Sequence, residues 1–205
     1  MDLLIATNNQ GKFQEFKNIL AERFDKILSF EDIGKEIEVE ETGITFQQNA
    51  KKKAIEVARE TGMFTLGDDS GLVVDALYGA PGVYSARYSK QRTDESNIAK
   101  LLNNMRDIPK EDRTARFVCS LALCNPEDLS TIMVTGVCEG FITEKPIGNK
   151  GFGYDPVFYY PKADLTFGQM TEEEKNLISH RMNAVKKLCK ILDDNSAKQT
   201  SLFDK

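Results

Sequence analysis

The chain has 205 residues, 40% of them hydrophobic, with a formal net charge of −5 and a pI near 5.1. A chain of this size and composition is expected to fold as a single domain over residues 1–193, followed by a polar C-terminal tail at residues 194–205. The acidic balance argues against a nucleic acid polymer or a membrane surface as partner, because both attract clustered positive charge. No stretch reaches the roughly 20 apolar residues that span a bilayer and no signal segment is recognisable, so we expect a cytoplasmic protein.

The cysteines and the histidine restrict the possible metal chemistry. Cys119, Cys124, Cys138 and Cys189 show no CxxC spacing and lie in apolar runs, which favours buried free thiols over a zinc site or disulfides. His180 is the one histidine, so sites with several histidine ligands are excluded. Carboxylates are then the credible metal ligands.

A buried strand, a polar turn and a helix are predicted at the start of the chain. The apolar run at residues 3–6 predicts the strand, and helical spacing from Phe13 predicts the helix. Backbone N–H groups, the positive end of the helix dipole and the Lys12 ammonium would meet at the turn, which suits an anion. The turn lacks the P-loop pattern, and a turn that only connects and caps is the alternative. Its residues are Thr7, Asn8, Asn9, Gln10, Gly11 and Lys12.

The next segment is acidic and leads into a second helix. Residues 31–41 predict a solvated edge strand or loop, with a metal-ligand role for Glu40 or Glu41 as the alternative. Residues 45–48 form a capping-box pattern for a helix with one apolar face. The three lysines at 51–53 point in different directions around that helix, which favours a solvated surface.

Residues 66–88 carry the densest set of chemically active side chains. Asp68, Asp69 and Ser70 lie between two glycines, and the pattern predicts a bend between two strands. Adjacent carboxylates suit Mg²⁺, which prefers oxygen ligands, although a plain turn is the alternative. Arg87, between two tyrosines, fits either a phosphate clamp or a surface ion pair.

Helical spacing predicts a further helix after residues 93–95. The β-rich runs at 116–124 and 131–142 then predict an antiparallel hairpin, which could form a second lobe.

A glycine- and proline-rich loop at residues 145–156 carries Phe152, Gly153, Tyr154 and Asp155. Aromatic side chains on such a loop can stack on a nucleobase while a polar group reads its edge, and the alternative is that they fill the core.

Two more helix starts follow the loop. Residues 171–174 form a second capping-box pattern that leads to Lys175. Ser179 is the predicted N-cap of the last helix, with His180 and Arg181 at its N-terminus. Cations are unfavourable there, which predicts either a neutral imidazole with a paired guanidinium or an anionic or carbonyl-rich ligand.

Six of these motifs, taken in order, resemble the inosine triphosphate pyrophosphatase family over nearly the whole chain. They are TNNQGK at 7–12, DDSGL at 68–72, YSARY at 84–88, FGYDP at 152–156, EEKN at 173–176 and SHR at 179–181. The resemblance implies an α/β fold with a long mixed β-sheet flanked by helices, two lobes with a central cleft, and a homodimer. It also implies Mg²⁺-dependent hydrolysis of non-canonical purine nucleoside triphosphates (ITP, dITP, XTP) to the monophosphate and pyrophosphate, which cleanses the nucleotide pool.

The resemblance also implies roles for individual residues. Asp69 matches the general base and a metal ligand, and Ser70 a substrate contact. Glu40, with Glu41 as second choice, would be the other metal ligand. The turn around Lys12 would bind phosphate. The base-recognition side is matched by Phe152, Gly153, Tyr154, Asp155, Lys175, His180 and Arg181.

One departure keeps alternatives open. Gln48 stands where many relatives carry Glu, and this change would weaken the metal site if that carboxylate positions the metal. The alternatives are a pyrophosphatase for other modified nucleotides and a nucleotide sensor without turnover.

Overall fold

The computed structural model describes residues 2–203, with side-chain surroundings for residues 2–194, and within them it contains a seven-stranded mixed sheet. The strand order is β2-β1-β3-β4-β5-β6-β7. The pairs that β1 makes with β2 and β3 are parallel, and the other pairs are antiparallel. The strands are β1 (Asp2–Ala6), β2 (Lys26–Leu28), β3 (Thr65–Val74), β4 (Thr114–Cys124), β5 (Thr131–Ile142), β6 (Phe158–Tyr160) and β7 (Leu165–Thr166).

Five α-helices accompany this sheet in the described part of the chain, and most begin at a residue that suits an N-cap. The side chains of Asn9, Thr45, Thr93 and Thr171 each accept a backbone N–H bond at the start of a helix. The last helix continues into the predicted polar tail as far as Phe203. The helices are α1 (Gln10–Leu20), α2 (Phe46–Thr61), α3 (Asp94–Asn104), α4 (Glu172–Ile178) and α5 (His180–Phe203). None of the helices among these residues is long and apolar enough to cross a membrane.

The two faces of the sheet are covered differently. On one face, Phe16 of α1 and Leu188 of α5 pack against Leu66 and Leu121 of the central strands. On the other face, α2 presents a row of small residues, Ala50, Ala54 and Ala58, to Ala122 and Cys124. Small side chains allow this helix to lie close to the strands.

The molecule has two lobes. The first lobe contains the packing of α1, α2 and α5 on the sheet described above, and the second lobe contains another large hydrophobic cluster. Leu72 and Phe117, from the far halves of β3 and β4, pack there with Leu101 of α3 and with Phe158 and Phe167. The long strands run through both lobes, and a cleft lies between them. The predicted α/β fold, with a long mixed sheet and flanking helices, is confirmed.

The predicted bend at Asp68–Ser70 is wrong, because β3 runs without interruption from Thr65 to Val74. Its glycines serve close packing instead of a turn. A Cβ at Gly67 would lie 2.2 Å from the Ala50 carbonyl oxygen, and a Cβ at Gly71 would lie 2.4 Å from Ser85 Oγ.

Other local predictions had mixed outcomes. The antiparallel hairpin is confirmed as β4 and β5, but it lies in the middle of the sheet and does not form a separate lobe. Of the two predictions for residues 31–41, the loop is correct. The Thr45 cap is present, but Gln48 accepts the N–H of Ile44 and so does not complete the box. All four cysteines are free, and Cys189 alone among them is only partly buried.

Candidate active site

The candidate site lies where β1 stops and its neighbour β3 continues. Ala6, the last residue of β1, pairs with Gly67, and β3 then extends to Val74. The residues of β3 just beyond Gly67 therefore lack a partner from β1. The polar turn and the start of α1 fill this notch, beside Asp68 and Asp69.

The polar turn is held by its own side chains. Asn9 Oδ1 accepts the N–H of Lys12 at 3.0 Å, and Thr7 Oγ1 accepts the N–H of Asn9 at 3.2 Å. Asn8 Nδ2 donates to the carbonyl of Ile37 at 3.3 Å. Because the side chains fix the backbone, the N-terminal amides of α1 keep one direction, as an anion site requires.

Two other residues of the turn have different positions. Gln10 is exposed and lines neither of the cavities described below. Gly11 packs against Phe152, since a Cβ there would lie 2.9 Å from Phe152 Cδ1.

Asp68 forms a buried ion pair with Lys12. The Lys12 Nζ to Asp68 Oδ2 distance is 2.8 Å, and the Asp68 side chain has no exposed surface. The Cys119 thiol donates to Asp68 Oδ1 at 3.2 Å. Burial alone would raise the pKa of Asp68, but Lys12 and Arg181 hold it far below its usual range. Asp68 is therefore a fixed negative charge that anchors Lys12.

Asp69 points to the opposite face of the sheet, because neighbouring residues in a strand alternate. Asn49 Nδ2 of α2 donates to Asp69 Oδ2 at 2.8 Å, while Asn49 Oδ1 accepts the N–H of Gly43. Burial raises the pKa of Asp69 to about 6 against the opposing charge of Lys53, and the charge of Glu41 adds to the rise. The adjacent Asp68 and Asp69 thus do not form the metal-binding pair that their spacing suggested.

The first cavity, which we call the phosphate cavity, has a volume of about 650 Å³. Glu41 lies in it between two cations, with Lys53 Nζ 2.6 Å from Oε1 and Arg87 Nη1 2.7 Å from Oε2. Glu40 also lines it but is exposed, and its carbonyl accepts from Lys52. The polar lining residues are Thr7, Asn8, Asn9, Lys12, Glu38, Glu40, Glu41, Lys53, Arg87 and Arg92.

The donor set of this region fits a hard divalent cation bound together with a phosphate. Asp69 is a buried carboxylate, and Glu41 is close enough to influence its pKa. Among the described residues no group of three or more His, Cys, Asp and Glu side chains could hold a metal ion. Mg²⁺ commonly takes one or two carboxylates and completes its shell with water and substrate phosphates.

The second cavity, the base pocket, adjoins the phosphate cavity and has a volume of about 110 Å³. Asn9, Lys12 and Ala86 line both cavities. The polar and aromatic residues that line the base pocket but not the phosphate cavity are Ser70, Ser85, Asp94, Asn97, Phe117, Phe152, Tyr154, Asp155, Lys175, His180 and Arg181, and Gly153 lies among them.

A buried network of charges forms the wall of the base pocket. Lys175 Nζ lies 2.8 Å from Glu15 Oε1 and 2.6 Å from Asp155 Oδ2, while Arg181 pairs with the other oxygen of Glu15 and donates to Ser70 Oγ at 3.1 Å. Burial would raise the pKa of Glu15, but Arg181 and Lys175 lower it. The Lys175 ammonium also lies 4.6 Å from the centre of the Phe152 ring.

The surroundings of His180 and Asp155 in the base pocket define the role of each. Burial, with Arg181 and Lys175 nearby, lowers the pKa of His180 well below its usual range, so the imidazole is neutral and stacks on Phe117 at 4.8 Å. Two alternatives were predicted for the N-terminus of α5, and the structure shows the first: a neutral imidazole beside a paired guanidinium. Asp155 Oδ2 accepts the N–H of Phe152 at 2.9 Å, so this carboxylate supports the loop.

Sequence reasoning missed several residues of the site. Glu15 was not singled out, and its signal is weak: it lies three residues after Lys12, on the same side of α1. Lys53 was read as solvated because it stands in a run of lysines. Asn49 gave no signal, since its role depends on the contact between α2 and β3. Gln48 accepts the N–H of Ile44 just before α2, and it does not line the phosphate cavity.

The comparisons with known proteins agree with this architecture. The Ham1 family model matches residues 3–191. The dITP/XTP pyrophosphatase of Bacillus licheniformis is 50% identical over 193 residues, which cover 94% of this chain and 98% of that protein. The Bacillus subtilis protein of the same name is 49% identical, with 94% and 97% covered. The Staphylococcus aureus Ham1 protein matches with a TM-score of 0.83 and 42% identity, and the match covers 95% of this chain and 100% of that chain.

The two-lobed mixed sheet with a polar cleft defines an α/β protein of the kind found in these structures. The chain belongs to the Ham1 family. The resemblance seen in the sequence motifs is thereby confirmed.

Proposed function

We propose that this chain hydrolyses non-canonical purine nucleoside triphosphates to the nucleoside monophosphate and pyrophosphate, with Mg²⁺ as cofactor. ITP, dITP and XTP are the expected substrates. The names of the curated relatives support this reaction. In the structure, the observation that carries it is the junction of two unlike cavities at Asn9 and Lys12. One has the aromatic ring and buried donors that suit a base, and the other has the cations and carboxylates that suit phosphates.

The phosphate side of the mechanism depends on fixed positive charge. The N-terminal amides of α1 and the ammonium of Lys12 would bind phosphate oxygens, because Asn9 and Lys12 at the start of this helix line the phosphate cavity. Bound Mg²⁺ would neutralise charge on the triphosphate and stabilise the leaving pyrophosphate. We assign Asp69 and Glu41 as its protein ligands. The sequence favoured Glu40 as this ligand. We now rank Glu40 second, as the alternative to Glu41, because its side chain is exposed.

Asp69 is the proposed general base. A carboxylate with a pKa near 6 is largely ionised at pH 7 to 8, and it is more basic than an ordinary aspartate. Asn49 holds one of its oxygens, which leaves the other to orient a water and accept its proton. The water would attack the α-phosphorus in line with the leaving pyrophosphate.

The base pocket can favour a 6-oxopurine over adenine. Lys175 donates to two carboxylates, and we assign the third N–H of its ammonium to a carbonyl oxygen of the base. The 6-amino group of adenine is itself a donor, so it would face the Lys175 N–H without forming a hydrogen bond. An unpaired buried polar group costs about 1–3 kcal/mol, which corresponds to a roughly ten- to hundredfold preference.

Pyrophosphate release from ITP, XTP, dITP, ATP and GTP in the presence of Mg²⁺ tests the proposal. We expect release from the first three and little from ATP or GTP, and release should stop when the metal is chelated. Asp69→Asn should lower the rate by roughly 10²- to 10⁴-fold. Asp75→Asn, a change just beyond the far end of the same strand, is the matched control. Binding of ITP without any release would reject the enzyme and favour the sensor.

Three further expectations stay predictions from the sequence: a homodimer, a cytoplasmic location, and a domain boundary near residue 193.

A further inference from the structure

Glu41 is held by two cations that come from different parts of the fold. Lys53 belongs to α2 of the first lobe, and Arg87 ends the 3-10 turn Gly82–Arg87 beside the second lobe. Each binds a different oxygen of Glu41, at 2.6 and 2.7 Å. Each carboxylate oxygen of this proposed metal ligand is therefore engaged by a different positive charge.

These ion pairs differ from the neighbouring pair of Lys12 and Asp68. The Asp68 side chain is fully buried, and the Cys119 thiol also donates to it. The Glu41, Lys53 and Arg87 side chains are 26%, 13% and 30% exposed, and all three line the phosphate cavity. Partly exposed pairs are weak and can exchange partners, whereas the buried pair is fixed.

A bare divalent cation would gain little from this arrangement. The charges of Glu41 and Asp69 are balanced by those of Lys53 and Arg87, and a metal at Glu41 would stand close to two like charges. A triphosphate changes the balance, because its oxygens are good partners for an ammonium and for a guanidinium. Glu41 is then free to bind the metal.

We propose that Lys53 and Arg87 exclude free metal from Glu41, and that they transfer to the triphosphate when metal and nucleotide enter together. This inference rests on the proposed function, since it takes a metal–triphosphate complex as the ligand. It assigns Lys53 and Arg87 a second role as phosphate ligands, and it makes metal binding dependent on the nucleotide.

Binding of Mn²⁺ alone to the nucleotide-free full chain tests the exchange, with free Mn²⁺ measured by electron paramagnetic resonance at pH 8. The native chain should bind Mn²⁺ weakly. Arg87→Met and Lys53→Met should each bind it roughly tenfold more tightly or better, because a competing charge is gone. Arg92→Met is the matched control, since Arg92 lines the same cavity but has no ion pair with Glu41 in the described structure. Its affinity should change less than about twofold.

A second titration adds the α,β-methylene analogue of ITP, which cannot be hydrolysed at this bond. The native chain should then bind Mn²⁺ at least about tenfold more tightly, and both variants should bind the analogue more weakly than the native chain. If neither variant binds free Mn²⁺ more tightly than Arg92→Met, the exchange is rejected. The two hypotheses can fail separately. If the chain releases pyrophosphate from ITP but neither variant changes the Mn²⁺ affinity, only the exchange is rejected. If the chain releases no pyrophosphate, the proposed function is rejected.

Discussion

Asp68 and Asp69 are adjacent, yet they are in opposite electrostatic states. Both are buried, so burial raises the pKa of both. Asp68 faces Lys12 and Arg181, whose charges outweigh the burial. Asp69 faces α2, where an amide and a more distant lysine compensate only in part. The difference follows from strand geometry, which places successive side chains on opposite faces with different neighbours.

Asp69→Asn should stabilise the metal-free protein while it removes activity. The pKa of Asp69 is raised to about 6 in the folded state. Its contribution to the free energy of unfolding is therefore most favourable below about pH 4, and this contribution is lost as the pH rises through 6. In the presence of a chelator, urea unfolding should show the variant to be more stable at pH 8 by about 2–3 kcal/mol. The difference should nearly vanish at pH 4. Equal stability at both pH values would contradict the assigned environment of Asp69.

Glu15→Gln should destabilise the fold, because it leaves the buried Arg181 without its carboxylate partner. Loss of one member of a buried ion pair costs about 3–5 kcal/mol, which urea unfolding at pH 7 would measure. The pKa of Glu15 is lowered in the folded state, so the native advantage should shrink as the pH falls below about 4. Glu22→Gln, at an exposed position just beyond the end of the same helix, should have little effect.

At the scale of elements, β3 joins the two lobes and both faces of the site. It carries Asp68 and Ser70 toward α1 and α5, and Asp69 toward α2. Its glycines allow α2 and the turn Gly82–Arg87 to approach the backbone closely. The position of the Asp69 carboxylate, the proposed general base, therefore depends on how closely these elements pack.

Gly67→Ala should damage both stability and activity. The added methyl group would meet the Ala50 carbonyl oxygen and the Ala54 nitrogen, at 2.2 and 2.7 Å, and these backbone atoms cannot rotate away. We expect a loss of about 1–3 kcal/mol or more in urea unfolding. The rate of pyrophosphate release should fall as well, since α2 carries Asn49 and Lys53. A variant with native stability would show that α2 is free to shift.

Tyr154→Phe should loosen the glycine- and proline-rich loop at residues 145–156, while the chemical step keeps its rate. The Tyr154 hydroxyl donates to the Ser85 carbonyl at 2.8 Å, which ties the loop to the turn that bears Arg87. The loss leaves a buried carbonyl without this donor, at a cost of about 1–3 kcal/mol, and it should raise KM more than it lowers kcat. Tyr160→Phe is the control, because the Tyr160 hydroxyl has no hydrogen bond among the described residues. A fall in kcat alone would contradict this role.

For the whole molecule, the narrow base pocket implies movement between the lobes. Its volume is about 110 Å³, whereas small-molecule sites usually have about 300–1,000 Å³. Phe152 packs against Gly11 of the first lobe, and Arg87 reaches Glu41. We predict that binding of a purine nucleotide separates the lobes and changes these contacts.

Phe152→Trp should report this movement by fluorescence. The chain contains no tryptophan, so the introduced indole is the sole emitter of its kind. Binding of the methylene analogue of ITP should change its emission, because a base enters beside the ring. Pyrophosphate, which lacks a base, should have a smaller effect. Tyr160→Trp, placed away from the base pocket, serves as control. Unchanged emission at saturating analogue would contradict the predicted movement.

Much of the fold was predictable because its signals are local. Periodicity located the first strand and the main helices, and the predicted cap residues Thr171 and Ser179 marked helix starts. The bend at Asp68 was predicted wrongly, because a glycine that allows close packing looks in sequence like a glycine in a turn.

The sequence by itself determined the family, the order of the main helices and longer strands, and most of the polar residues that line the two cavities. Only the tertiary structure decided the environment of each charge. Glu15 and Lys175 are 160 residues apart in the chain, and Asn49 reaches Asp69 across a helix–strand contact. Burial and distance between charges set a pKa, and both are properties of packing between distant segments. The motifs thus identify the reactive groups, and the packing decides which of them are ionised, paired or free to exchange.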